Sequence, residues 1–259
     1  MGEALLTQVS YLARRSVLRM LRQPAIVISA LVFPMMLFAI NAGGLDAASS
    51  IPGFPADSYL DFVFAFPLVQ GALFASLSAG AEFARDIESG FLNRLALTPM
   101  RPVALLAGLL AGVLALGLLQ GVVFLAVGLI AGVNIAAGAM GVPVLVALSM
   151  LVALGFGSLG TILALRTGSG EAVQGFFPLF FVGIFLSSIL LPRDQIEADW
   201  FRIVATINPV SYLVEGIRSL IITGWDLQAL ALGFGVAAAI VVVGLFGAGV
   251  SLKTRIERT

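Results

Sequence analysis

The sequence predicts an all-α membrane protein. Of its 259 residues, 60% are apolar and only 11% are charged, whereas about a quarter of the residues of a water-soluble domain are charged. Several apolar runs also reach the ~18 residues that a helix needs to cross the hydrocarbon of a bilayer. We therefore expect residues 1–259 to form a single transmembrane domain, and the composition excludes a soluble enzyme.

The composition also restricts the chemistry of the chain. It contains no histidine and no cysteine, so the usual zinc sites, a bis-histidine haem, a Ser–His pair and a thiol nucleophile are all excluded. We accordingly predict no catalytic residue and no metal site. Fourteen basic and 14 acidic residues give a formal net charge of zero, which argues against a nucleic-acid partner because no basic surface is predicted.

Residues 1–24 are predicted to form an interfacial helix. At about 100° per residue, four arginines fall on one side of this helix and seven apolar side chains on the other. The arginines are Arg14, Arg15, Arg19 and Arg22, and the apolar residues are Leu5, Leu6, Val9, Leu12, Ala13, Val17 and Met20. Two interpretations stay open: a positively charged anchor that sets topology, or a helix that also contacts a cytosolic partner.

Residues 25–252 are predicted to form a bundle of six transmembrane helices. The apolar runs lie at about 25–42, 60–81, 102–133, 141–165, 172–191 and 228–252. Eleven of the 14 basic residues lie before 25, at 82–101, near 166 or after 252, and the positive-inside rule places such segments in the cytosol. Both termini, including a tail at 253–259, are therefore predicted to be cytosolic.

The third run is longer than a bilayer requires, so we expect it to tilt or to project into the cytosol. Pairs of glycines four residues apart, beginning with Gly108 and Gly112, recur along it. Such pairs let helix backbones approach closely, so they predict a packed bundle and indicate no particular function.

The cytosolic segment after the second span is predicted to contain a short amphipathic helix that ends at Pro99. Ile87, Phe91 and Leu95 recur at every fourth position and form one apolar stripe. A stripe outside the lipid needs a protein surface to cover it, either on another protein or on this chain. The residues assigned to docking are Arg85, Asp86, Glu88, Gly90, Phe91, Arg94 and Thr98.

The external stretch between the fifth and sixth spans is predicted to form a helical lid. Asn208 suits a helix cap, Pro209 suits the first helical position and Gly224 suits the position after the end. The helix at 210–223 has about 14 residues, which is too short to span, so it reads as re-entrant or interfacial. An ordinary amphipathic loop over 200–224 is the alternative.

Within this lid, Glu215 and Arg218 are three positions apart, so we expect them to neutralise each other at membrane depth. The residues assigned to the lid are Asn208, Pro209, Tyr212, Glu215 and Arg218.

The start of the second span suggests a substrate path. Phe62, Phe66 and Gln70 share one helical face, and contact with lipid alone would not require a glutamine. With Phe74 and with Gln174 and Phe177 of the fifth span, these residues are hypothesised to line an amphipathic path. Phenylalanine is also an ordinary lipid-facing residue, and nearby Asp61 is expected to be solvated at the outer boundary.

Two groups of residues carry a family resemblance over nearly the whole chain. The first comprises Glu88 and Gly90, Arg94 and Leu95, and Thr98 and Pro99; the second comprises Phe177 and Pro178, Leu191 and Pro192, the stretch 208–212, and Arg218. In these residues the chain resembles the permease subunit of ABC-2 type ABC exporters, in the branch of daunorubicin-resistance and nodulation-export permeases. Ser187 and Ser188 depart from the Ser-Gly that family members commonly show.

The resemblance implies a permease that moves a hydrophobic or amphipathic substrate, such as a drug, a lipid or a lipid-linked glycan, out of the cytoplasm or inner leaflet. It implies a homodimer, or a heterodimer with a homologous permease, in the lipid bilayer on separately encoded ATP-binding subunits. ATP and Mg²⁺ would bind those subunits, and this chain would carry no cofactor. The interfacial helix and the short helix after the second span would contact them, the latter as the coupling helix.

Thirteen arginines against one lysine, with many alanines and glycines, suggest a bacterial source. The expected location is therefore the bacterial cytoplasmic (inner) membrane, with several spans.

Two other classes of protein were weighed against the exporter. An ion- or proton-coupled secondary transporter usually has paired charges and broken helices near the midplane, often in an inverted repeat. The predicted midplane here is nearly free of charge, and no clear repeat is visible. An intramembrane enzyme would need catalytic groups, whereas the acidic residues lie near the predicted boundaries.

Overall fold

The computed structural model describes residues 2–96 and 101–257, and this part of the chain is helical with no strand. In chain order the helices are α1 (Gly2–Leu21), α2 (Pro24–Gly44), α3 (Tyr59–Val63), α4 (Ala65–Glu88), α5 (Phe91–Ala96), α6 (Pro102–Ala131), α7 (Gly141–Thr167), α8 (Gly170–Gly175), α9 (Phe177–Phe185), α10 (Asp199–Ile207), α11 (Pro209–Arg218) and α12 (Leu227–Glu257). Short 3₁₀ turns occupy Asp46–Ser50 and Arg193–Gln195, and a π-helical turn at Ser219–Thr223 follows α11.

Five segments of the described chain are long and apolar enough to cross a membrane: α2, α3 with α4, α6, α7 and α12. The fifth predicted span, at 172–191, is a shorter and broken segment that consists of α8 and α9. Pro178 lacks the N–H that would continue the helix from α8, so a new helix starts at Phe177. The all-helical membrane fold is confirmed. The described residues form five full-length candidate spans, and the count of six stays a prediction.

The centre of the bundle is α7, which packs against α4, α6 and α12. The helices approach closely where one of them has no side chain. A β-carbon on Gly160 of α7 would lie 2.1 Å from the carbonyl oxygen of Ser76 on α4. The glycines of the sequence therefore serve close helix packing, as expected.

Helix α1 packs lengthwise against the first turns of α6. A β-carbon on Gly108 would lie 2.2 Å from the β-carbon of Leu12, and one on Gly112 would lie 2.3 Å from the Oγ of Ser16. Both contacts advance by four residues, so the two helices run side by side in the same direction. The Ser16 hydroxyl also donates a hydrogen bond of 3.1 Å to the carbonyl of Leu109.

The length of α6 places this contact near the membrane boundary. Its 30 residues extend about 45 Å at 1.5 Å per residue, whereas the hydrocarbon of a bilayer is ~30 Å thick. Helix α6 must therefore either tilt or project beyond the hydrocarbon, and α1 covers its N-terminal end. This arrangement agrees with an interfacial position of α1.

The four arginines predicted on one side of the first helix have different surroundings; three of them lie in α1, and Arg22 follows its last residue. Arg14 and Arg22 are exposed, whereas Arg15 and Arg19 turn toward the bundle. The reason is Asp86 at the end of α4, a buried carboxylate that both inward arginines contact.

At the opposite end of the bundle, loops and helix ends are joined by hydrogen bonds. Asp61 accepts a hydrogen bond of 3.0 Å from the backbone N–H of Asn134, so it holds the α6–α7 loop in addition to meeting solvent. The same loop donates from Ala136 and Ala137 to the carbonyls of Ile221 and Leu220 in the π-helical turn.

Candidate functional site

The C-terminal end of α4, predicted to be cytosolic, is joined to α1 by a charged cluster of Asp86, Arg15 and Arg19. The Asp86 carboxylate accepts hydrogen bonds of 2.7 and 2.9 Å from Arg15 and one of 2.8 Å from Arg19. The Asp86 side chain is only 5% exposed, so these bonds are shielded from water. Charge-assisted, bidentate bonds of this kind are among the stronger polar contacts in proteins.

The guanidinium of Arg15 also lies 4.0 Å above the ring of Phe91, the first residue of α5. The cluster thus reaches three helices: α1, α4 and α5. Hydrogen bonding to Asp86 raises the pKa of Arg15 above its ordinary value. The Arg15 side chain therefore stays charged, and both the Phe91 ring and the Asp86 carboxylate stabilise that charged form.

The predicted apolar stripe on one short helix is wrong in its geometry. Ile87 belongs to the last turn of α4, and Gly90 has φ +67°, a conformation that glycine adopts without strain. The chain turns there, so Phe91 starts a separate helix and does not continue the face of Ile87. Thr98 lies outside the described residues.

The remaining docking residues have different surroundings. Arg85 is exposed and donates a hydrogen bond of 2.7 Å to Gln23. Glu88 is exposed and accepts a bond of 3.2 Å from the backbone N–H of Gly170 in α8. Arg94 is exposed on α5. Asp86 differs from these residues because it is buried.

An open cleft of about 570 Å³ lies beside this cluster, lined by Arg19, Gln23, Arg85, Asp86, Glu88 and Ser89. Its walls come from α1, from the α1–α2 junction and from the end of α4. The surface that the sequence analysis predicted to be cytosolic is therefore concave and charged.

The lid at 199–223 forms as two helices, α10 and α11, followed by the π-helical turn. Asn208 accepts a hydrogen bond of 2.9 Å from the N–H of Val210, with Pro209 at the first position of α11. Gly224 ends the lid with φ +93°. The predicted capping residues are thus confirmed in their structural roles.

The lid is also fastened to its surroundings. The Asn208 amide donates to the carbonyls of Gly183 and Leu186 at 2.6 and 3.0 Å. The hydroxyl of Tyr212 donates a hydrogen bond of 2.9 Å to Thr206 in α10. The cap therefore fixes α11 to the end of α9, and Tyr212 fixes the two lid helices to each other.

The predicted pairing of Glu215 with Arg218 is wrong. Glu215 accepts hydrogen bonds from the guanidinium of Arg193 through both carboxylate oxygens, and one of 3.0 Å from the hydroxyl of Ser188. Arg193 also lies 4.6 Å from the centre of the Tyr212 ring. Bonding to Glu215 raises the pKa of Arg193.

Arg218 instead holds backbone carbonyls. It is 6% exposed and donates to Phe62, Ser188 and Ile189 at 2.8, 2.6 and 2.5 Å. Its guanidinium also lies 3.4 Å from the centre of the Phe62 ring. The residue thereby joins α11 to the start of the second span and to the end of the fifth segment.

Sequence reasoning missed Arg193 because its partner is 22 residues away, and no local spacing rule connects them. The signal that could have indicated Arg193 was its place, directly after Pro192, among the few basic residues predicted to be external.

The structure brings part of the predicted path together. Phe66 contacts Phe185 with ring centres 5.8 Å apart, and Phe74 contacts Phe177 at 6.0 Å. Gln70 lies between Phe66 and Phe74 on the same face of α4. It is fully buried, and neither atom of its side-chain amide has a hydrogen-bond partner within the described residues. Such an unpaired amide costs roughly 1–3 kcal/mol.

The other two path residues lie apart from this aromatic cluster. Phe62 is buried beneath Arg218, and Gln174 is exposed on α8. The cluster around Gln70 is closed in this conformation, since Phe66 and Gln70 have no exposed surface.

Comparison with known proteins agrees with this architecture. The family model described as ABC-2 type transporter matches residues 7–222, which include the charged cluster, the helices α2 to α9 and the lid up to the π-helical turn, but not α12. Among curated proteins, the chain is 25% identical to the putative transport permease ycf38 of Pyropia yezoensis, over 85% of this chain and 75% of that protein.

Two further relatives show the range of the similarity. The putative transport permease ycf38 of Cyanophora paradoxa is 25% identical over 81% of this chain and 72% of its own length. The daunorubicin resistance ABC transporter permease protein DrrB1 of Streptomyces coeruleorubidus is 28% identical over 75% of this chain and 66% of its own. With its multiple apolar helices, the chain is a multi-pass membrane protein and belongs to the ABC-2 type transporter family of permeases.

Proposed function

We propose that the chain is the membrane-spanning permease subunit of an ATP-driven exporter. The observation that carries this proposal is the charged cluster of Asp86, Arg15 and Arg19, which joins α1 and α4 at the cytosolic end of the bundle. A displacement of either helix at its cytosolic end would be transmitted to the other helix through these bonds. Membership of the ABC-2 family supplies the class of partner.

The proposed partner is a separate ABC ATP-binding subunit, which would hold ATP and Mg²⁺. We assign its docking surface to exposed Arg85, Glu88 and Arg94 and to the segment 90–98, including Gly90, Phe91 and Thr98. Asp86 is reassigned as a positioning residue, since it is buried. A nucleotide can bias the permease only through contacts that differ between two states. A surface on α5, which follows the turn at Gly90, can supply such contacts.

A second permease, either another copy or a homologue, is proposed to complete the transporter in the bilayer. Exposed apolar residues on one side of α2, at Ile28, Val32, Met36 and Ile40, are compatible with contact to either lipid or that second permease.

The proposed cargo is a hydrophobic or amphipathic molecule, such as a drug, a lipid or a lipid-linked glycan. Support comes from Gln70 among phenylalanines, because an amide without a partner can bond a polar group of a mainly apolar guest. Of the relatives named above, DrrB1 is a daunorubicin resistance permease by name, which favours a drug-like cargo. Outward transport, both termini in the cytosol and a bacterial inner membrane complete the proposal.

The test is co-purification of an ATP-binding subunit with the permease, followed by ATPase and transport assays on the complex. We expect Phe91→Asp and Arg94→Glu to reduce recovery of the subunit while the permease remains inserted. Arg166→Glu, at the exposed end of α7, is the matched control and should bind normally. If transport continues without any ATP-binding subunit and follows an ion gradient, the proposal is overturned in favour of a secondary transporter.

A further inference from the structure

An open cavity of about 380 Å³ lies on the lid side of the bundle. The start of the second span, the loop after α9, the π-helical turn and the start of α12 form its walls. Its lining includes Phe62, Arg193, Asp194, Glu215, Arg218 and Asp226. The volume falls at the lower end of the range for small-molecule sites, and the charges of the lining indicate which ligand would fit.

Arg218 is the buried charge of this cavity. A guanidinium has five N–H groups, and Arg218 donates from three of them to backbone carbonyls. Among the described residues, no carboxylate lies within ion-pair distance of it, because Glu215 is bound to Arg193. Glu215 stabilises the Arg218 charge without a direct ion pair, so an anionic group that enters the cavity would add a direct counter-charge and would meet two unused donors.

The outer part of the lining has the opposite charge. Asp226 caps α12 with one carboxylate oxygen, which accepts from the N–H groups of Gln228 and Ala229 at 3.0 Å each. Asp226 and Asp194 are both exposed. Since Arg193 and Glu215 neutralise each other, the cavity presents one buried positive charge and two exposed negative charges.

We propose that this cavity binds a zwitterionic group, with a phosphate toward Arg218 and an ammonium toward Asp226 and Asp194. A simple anion would be repelled by the two aspartates, and a simple cation by the arginine. The shared chemistry has two sources, the head group of an outer-leaflet phospholipid and a soluble zwitterion of the same structure. Binding at this site does not depend on the proposed direction of transport or on the ATP-binding partner.

The first experiment uses the full-length permease in nanodiscs of phosphatidylglycerol, which contains no zwitterion. Phosphoethanolamine should raise the unfolding temperature in a saturable manner, whereas glycerol phosphate and ethanolamine alone should not. Asp226→Asn keeps a cap on α12 but removes the charge, so we expect affinity to fall at least tenfold. Asp199→Asn, an exposed change on α10 outside the cavity, should bind like the wild type.

The second experiment identifies the source of the ligand. Native mass spectrometry on protein from phosphatidylethanolamine nanodiscs should show one retained lipid that Asp226→Asn loses if the ligand is a head group. Retention that both proteins share, together with phosphoethanolamine binding, supports a soluble ligand. The proposal is overturned if glycerol phosphate binds as tightly as phosphoethanolamine, or if neither the soluble ligand nor a lipid distinguishes Asp226→Asn from the wild type.

Discussion

The carboxylate of Asp86 accepts two parallel hydrogen bonds from the guanidinium of Arg15, although 71 residues separate them in the chain. Arg19 shares the same carboxylate. Because Asp86 lies in the last turn of the candidate span α4 and Arg15 belongs to the helix before the first span, this contact joins α1 firmly to the C-terminal end of α4.

We predict that Asp86→Asn lowers the stability of the detergent-purified permease by about 1.5–3 kcal/mol, the range for hydrogen bonds to charged groups. The change leaves two arginines without their carboxylate in a partly buried place. Glu88→Gln, two residues later and exposed, should cost less than ~1 kcal/mol. Thermal unfolding of both variants is the measurement, and equal shifts would contradict the structural role assigned to Asp86.

The close contact of α1 with α6 gives a second prediction. Alanine at Gly108 would place a β-carbon 2.2 Å from that of Leu12, and overpacking of this kind costs about 1–3 kcal/mol. Alanine at Gly235 meets nothing within 4 Å and should stabilise α12 by up to ~1 kcal/mol. Opposite shifts of the unfolding temperature are therefore expected, and stabilisation by Gly108→Ala would refute the described packing of α1.

The sequence predicted those parts of the fold that depend on composition and local spacing. Apolar runs located the spans, and Asn208, Pro209 and Gly224 located the ends of the lid because capping is a local interaction. The turn at Gly90 was missed, since a stripe at every fourth position treats the segment as one regular helix. The break at Phe176 was missed because Pro178 lies within an otherwise continuous apolar run.

Tertiary pairing of charges was the least predictable feature. The spacing of Glu215 and Arg218 favoured a pair on one helix, yet each found a better partner on another segment. Arg15 and Arg19 likewise contact a distant aspartate, which helical periodicity could not indicate. The partner of a charged side chain depends on which groups the folded chain brings within hydrogen-bonding distance. Local spacing in one sequence does not show which distant groups these are.

Topology is tested by labelling, since the chain has no cysteine of its own. Ser50→Cys and Ser89→Cys each place a thiol at an exposed position, the first between the first two spans and the second after α4. The distribution of arginines predicts that a membrane-impermeant thiol reagent labels position 50 in intact cells and position 89 only after lysis. The reverse result would exchange the cytosolic and external sides of every assignment.

The last prediction concerns the carboxylate of Glu215, which the structure pairs with Arg193 and not with Arg218. In double-mutant cycles, residues in direct contact show coupling energies of about 0.5–3 kcal/mol. For residues that are far apart and share no partner, the stability effects of the two substitutions simply add. We expect Glu215→Gln and Arg193→Gln to be strongly coupled in thermal stability, because either change alone leaves one partner of a half-buried pair without its counter-charge.

Arg218 provides the comparison within the same helix. Since its bonds go to three backbone carbonyls, Arg218→Gln should be severe alone, because each buried carbonyl left without a donor costs about 1–3 kcal/mol. Its coupling to Glu215→Gln should nevertheless be weaker than that of Arg193, since Glu215 acts on the Arg218 charge without a direct bond. Arg218→Lys keeps the charge but offers fewer donors, and should recover only part of the loss. Strong coupling of Glu215 to Arg218 and none to Arg193 would restore the local pair that spacing favoured and would refute the described arrangement of the lid.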